Sequence, residues 1–170
     1  MGLHAFLEYL KYKWKAKSRH GVHSPFVYDL IYHVLLDHGP IDRAYIIAYP
    51  SLALHYENLI SRIAAYYKYK VILRLPMEKE NTQVPINADL LVFNDAAPLR
   101  WTGEMNKYTH LLKNESAVAI TGIHNTPAHT AEWNKLCLNA PVTMSIDLYG
   151  VGLLFFKQEF KEQQHFILKY

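Results

Sequence analysis

Two residues of this chain stand where side chains can do chemistry. Asp95 follows the apolar run 90–93, and His124 follows the apolar run 117–120. A carboxylate at the end of a buried strand can orient or deprotonate a hydroxyl, and an imidazole there can act as a base or a metal ligand. Each also has a structural reading, which is the preferred one. Asp95 can cap the turn or helix that follows it, and His124 can hydrogen-bond locally before Thr126 caps the next helix. The other histidines do not assemble into a metal site. His124 and His129 are five apart, a poorer spacing for shared ligation than four. His20 and His23 flank Gly21, where zinc would need two further ligands that the sequence does not identify. With Cys137 as the single cysteine, no metal is assigned.

A missing residue type is as informative as those present. Residues 44–51 read as the first buried strand of a nucleotide-binding α/β domain, yet residues 51–56 contain no glycine. A turn that cradles a phosphate or nucleoside needs glycine so that the backbone can approach its ligand. Tyr49, Pro50 and Ala53 occupy the positions of closest approach.

The elements that would position these residues follow from periodicity. Leu3, Phe6, Leu7 and Leu10 share one helical face and predict a helix over 3–17, stopped near Gly21 as a left-handed cap. Ser24 and Pro25 open a second helix that runs to the breaker at His38, Gly39 and Pro40. From residue 44 strands and helices alternate, as in a mostly parallel sheet covered on both faces. Strands are predicted at 44–49, 70–75, 88–94 and 116–121, with helices at 52–67, 99–112 and 127–138. Strands at 142–148, 151–156 and 164–168 close the chain, the first two joined through Tyr149 and Gly150 as an antiparallel hairpin. Residues 76–87 are polar and carry Pro76 and Pro85, a composition poor for a crossover helix, so the sheet reads as shortened there. The division predicted is a helical N-terminal arm over 1–40 and an α/β domain over 41–170.

Composition bounds the class. With 170 residues, 51% hydrophobic and 19% charged, the chain is long enough for one folded domain. No apolar run reaches the roughly 18–20 residues needed to span a bilayer, and the lysines follow the first apolar stretch rather than precede it. A cytoplasmic location is the default expectation. Lys11, Lys13, Lys15, Lys17 and Arg19 are interleaved with Tyr9, Tyr12 and Trp14. Such a segment could meet nucleic acid or an anionic membrane surface. The preferred reading is a solvated helix whose aromatic side packs on the domain. The 13 tyrosines either fill interior space or serve an interface, and residue type alone does not divide the two.

The element order resembles class I S-adenosylmethionine-dependent methyltransferases, and two blocks sharpen the likeness. Residues 12–26, with Lys15, Lys17, His20, Gly21, His23, Ser24 and Pro25, are similar to the opening of a bacterial group of O-methyltransferase-like proteins. Residues 143–170 resemble its ending, with Ser145, Asp147, Tyr149, Gly152, Phe155, Glu159 and His165; Asp95 and Trp133 fall in register between. The resemblance implies a shortened Rossmann-like methyltransferase sheet with a C-terminal antiparallel hairpin.

The same resemblance implies a degenerate cofactor site. Where the group has an acid and glycines after its first strand, this chain has Ile47, Tyr49, Ser51 and Ala53. Where a carboxylate would hold the ribose hydroxyls, it has Leu75. Thr121 and Gly122 replace a metal-binding pair of acids, while Asp95 and His124 match the group's pattern. The implied protein is a non-catalytic scaffold that binds no cofactor, pairing with a second copy or an intact methyltransferase relative. The alternative is an O-methyltransferase that uses S-adenosylmethionine through an altered pocket.

Overall fold

The structure, a computed structural model, describes residues 2–18, 21–36, 54–75, 87–94 and 101–170. The predicted strand at 44–49, the glycine-free turn with Tyr49, Ser51 and Ala53, the 76–86 link and Asp95 lie outside the described residues.

Among the described residues six strands form one mixed sheet, in the order β1-β2-β3-β5-β4-β6. They are β1 (Ile72–Leu75), β2 (Ala88–Phe93), β3 (Leu112–Thr121), β4 (Met144–Asp147), β5 (Val151–Phe155) and β6 (Gln164–Ile167). β1, β2 and β3 pair in parallel, and β5 runs antiparallel to both β3 and β4. The predicted hairpin is therefore present. β6 then returns parallel to β4, so the closing strands are not all of one kind. β3 begins at Leu112, earlier than predicted. A single 3₁₀ turn at Thr109–Leu111 ends the preceding helix and feeds directly into the strand.

Both faces of the sheet are buried, which explains the near-continuous apolar runs. Leu90 and Val92 of β2, Ala117 and Ala119 of β3, and Leu153 and Phe155 of β5 face one core. That core is filled by α2 (Pro25–Leu30), its π-helical extension Ile31–Leu35 and α3 (Leu54–Tyr67). The alternate residues Leu91, Phe93, Val118, Ile120 and Leu154 face the second core. There they meet Trp101 and Met105 of α4 (Trp101–Tyr108) and Trp133 and Leu136 of α5 (Pro127–Cys137). Gly152 is set by this second core, because a Cβ there would collide with the Trp133 ring.

The local capping signals hold at α5 but not at the first two helices. Thr126 caps α5 as predicted, its hydroxyl accepting from the His129 N–H at 3.2 Å, with Pro127 at the first helical position. Ser24 precedes α2 but makes no side-chain cap bond. Gly21 is not a left-handed cap: α1 (Leu3–Lys15) ends when Ala16 turns extended. Gly122 is the one glycine with positive φ among the described residues. The chain leaves α1 because Lys17 joins the sheet edge beside Leu168, donating to the Ile167 carbonyl at 2.8 Å and accepting from Lys169 at 3.1 Å.

α1 belongs to neither core. Its buried residues are Ala5 and Tyr12, with Ala16 just beyond. Polar contacts hold it: Tyr12 donates to the Leu168 carbonyl at 2.6 Å, and Tyr149 donates to the Ala5 carbonyl at 2.6 Å. Tyr9 packs edge-on against Tyr149 at 5.2 Å. The aromatic side of the helix does pack on the domain. The face carrying Leu3, Phe6, Leu7 and Leu10 points away from it.

Candidate functional site

The parallel strands end in the same direction, and ligands of open α/β sheets bind beyond their carboxyl ends. At this edge a cavity of about 370 Å³ opens beneath α1. His124, past the end of β3, lines it together with Asp147 at the end of β4, His165 and Ile167 of β6, Thr130 of α5, and Lys15 of α1. A second cavity of about 410 Å³, between Leu112, Thr143 and Phe156, lies at the opposite ends of β3 and β4. The second is lined by polar side chains too, among them Lys113, Asn114 and Gln158, but histidines and carboxylates line the first and not the second.

His124 is buried, and both its ring nitrogens are engaged. Nε2 lies 2.7 Å from Asp147 Oδ2, and Nδ1 lies 3.2 Å from Thr130 Oγ1. An ionised Asp147 can only accept, so Nε2 carries the proton and donates. Nδ1 then accepts from the Thr130 hydroxyl, which in turn accepts from His4 Nε2 of α1 at 3.0 Å. Asp147 uses its other oxygen to accept the Tyr149 N–H at 2.7 Å. This bond fixes the hairpin turn, where Tyr149 holds a left-handed φ of 65°. The Tyr149 ring stacks on His124 at 5.7 Å. The result is one chain of donors and acceptors running from α1 through Thr130 and His124 to Asp147.

Around that chain other side chains pair with one another. Lys11 is bonded to Glu8 at 2.7 Å, and this ammonium holds the Glu8 carboxyl below its ordinary pKa. Ser145 holds His165 Nδ1 at 2.7 Å. Desolvation of the His165 ring pushes its pKa down; Asp147 opposes this, and His124 and Lys15 reinforce it. Among the described residues no group of three or more His, Cys, Asp or Glu could hold a metal ion.

Of the residues singled out from sequence, His124 is in the cavity. Leu75 is not: at 3% exposure it lies in the second apolar core beside Phe93. Its neighbour Arg74 turns to the other face, where Nη2 donates to Glu57 Oε2 of α3 at 2.6 Å. His129 does not join His124; its ring stacks on Trp101 at 4.9 Å. Sequence reading missed Asp147 as the partner of His124, along with Thr130 and His4. An acid closing a buried strand was the available signal for Asp147.

The fold and site define an α/β protein with a mixed, mostly parallel sheet and a polar pocket at its carboxyl edge. Among known proteins the chain matches no family model, no curated sequence and no solved structure.

Proposed function

We propose that this chain is a methyltransferase-like binding protein that has given up S-adenosylmethionine chemistry and acts as a scaffold. The observation that carries this reading is the state of His124. An imidazole with a carboxylate on one nitrogen and a hydroxyl on the other has no lone pair left for a substrate proton. To act as a base it would have to break its bond with Thr130, and Thr130 is also tied to α1 through His4.

Two further features support the reading. α1 lies across the carboxyl ends of β3, β4 and β6, where a ligand of an open sheet would enter. Leu75, at the place where the resemblance calls for a ribose-binding carboxylate, is buried among apolar side chains. Ribose hydroxyls left without a partner there would lose about 1–3 kcal/mol each.

Titration calorimetry with S-adenosylmethionine and S-adenosylhomocysteine tests the proposal. No heat of binding is expected at millimolar ligand. Stoichiometric binding would overturn it and favour an O-methyltransferase with an altered pocket, using His124 and Asp95.

A further inference from the structure

α1 is an amphipathic helix mounted with its apolar face outward. Leu3 is 76% exposed, Phe6, Leu7 and Leu10 are 47%, 47% and 49%, and Trp14 is 86%. At about 100° per residue these five side chains fall within an arc of about 100°. The same rotation places Lys13 on one side of the stripe and Lys11 on the other, with Lys15 beyond it. An apolar stripe of this continuity has a partner in soluble proteins or lies in a lipid interface.

We infer that the outward face of α1 docks on an anionic lipid bilayer, lying in the plane of the interface. Charge complementarity selects this occupant. Lys13 on one rim, and Lys11 on the other by exchanging its exposed bond to Glu8 for a headgroup, can extend their amines to acidic headgroups while their stems cover the apolar stripe. Trp14 adds an indole, the side chain best suited to a boundary that is apolar on one side and wet on the other. A second copy of the helix fits less well. Glu8 is the only acid on α1, and it sits on the inner side already bonded to Lys11. Two such faces together would meet with basic rims and no free carboxylate. The inner face stays fixed to the sheet by Tyr12 and Tyr149, so docking requires no unfolding. The inference does not depend on the loss of cofactor chemistry: it concerns the outer side of α1, whereas calorimetry interrogates the sheet's carboxyl edge.

Tryptophan emission provides the test. Trp101 and Trp133 are fully buried, so a shift on adding lipid reports Trp14. The full chain is titrated with vesicles of equimolar phosphatidylcholine and phosphatidylglycerol, and with phosphatidylcholine alone. A blue shift with the acidic vesicles, reversed by salt, is expected. Lys13→Gln should weaken partitioning about fivefold, from about 1 kcal/mol per cation near an acidic surface. Leu7→Glu with Leu10→Glu should weaken it about tenfold or more. Both sites are half exposed, so circular dichroism should show an unchanged fold. No shift at millimolar acidic lipid would overturn the inference. So would a light-scattering dimer that Leu7→Glu dissociates in a protein that does not partition, since the stripe would then be an interface between copies.

Discussion

The carboxyl edge of the sheet has two ends of opposite chemistry. The residues that close β1 and β2, Leu75 and Phe93, are buried in an apolar cluster with Trp101, and the nearby charge, Arg74, is turned to Glu57 on the other face. At β3, β4 and β6 the edge is polar, with His124, Asp147 and His165 around a cavity. The difference teaches that polarity at a strand end is not the same as availability. At one end neither closing residue of the two strands carries a hydrogen-bonding side chain. The other end has several, but His124 and Asp147 are spent on each other and on holding α1.

The largest effect should come from reversing the chemistry of the apolar end. Leu75→Asp places a carboxylate where the resemblance calls for one. It also deletes a buried leucine and buries an unpaired charge, so a loss of about 3–5 kcal/mol is expected, with no gain in S-adenosylmethionine binding. Urea unfolding and calorimetry together check this. A variant that keeps its stability and binds the cofactor would show that the apolar end is a cofactor site lacking only its acid.

How far this contrast was legible in sequence differs between the two ends. Leu75 needed only its position at the end of an apolar run, and the hairpin at Tyr149 and Gly150 needed only its turn length. The pairing of His124 with Asp147 could not be read, because the two are 23 residues apart and β5 lies between their strands. Contact is made only because the chain after β3 bends at Gly122, whose N–H donates to the Gly150 carbonyl at 2.8 Å, bringing His124 over the start of β5. Periodicity found α1 but not its orientation. Four apolar residues on one face predict burial of that face. Here tyrosine hydroxyls and rings hold the opposite face instead, a choice made by partners more than 100 residues away.

At the polar end, Asp147→Ala should cost about 3 kcal/mol in urea unfolding. It strips the acceptor from a buried imidazole and from the Tyr149 N–H at once. Asp147→Asn should cost about half as much, because its amide can donate to Nε2 while its oxygen still accepts from Tyr149. The ring proton must then move from Nε2 to Nδ1, a tautomer change that nitrogen-15 spectra of His124 resolve. Loss of stability with no change of tautomer would mean that Asp147 supports the turn and not the imidazole.

The smallest expected effect separates α1 from the edge beneath it. Tyr149→Phe removes only the hydroxyl that donates to Ala5, worth about 1 kcal/mol. The ring remains to pack on Tyr9 and His124, and the Asp147 bond to the Tyr149 N–H is untouched. Because α1 adds nothing to either apolar core, its attachment depends on a few polar bonds, and losing one should be felt locally. Amide exchange should therefore quicken within Leu3–Lys15 by about fivefold, while β3 and β5 keep their protection. Equal acceleration across the sheet would show that α1 and the polar edge open together. The helix would then be an integral part of the domain rather than a cover tied over its carboxyl edge.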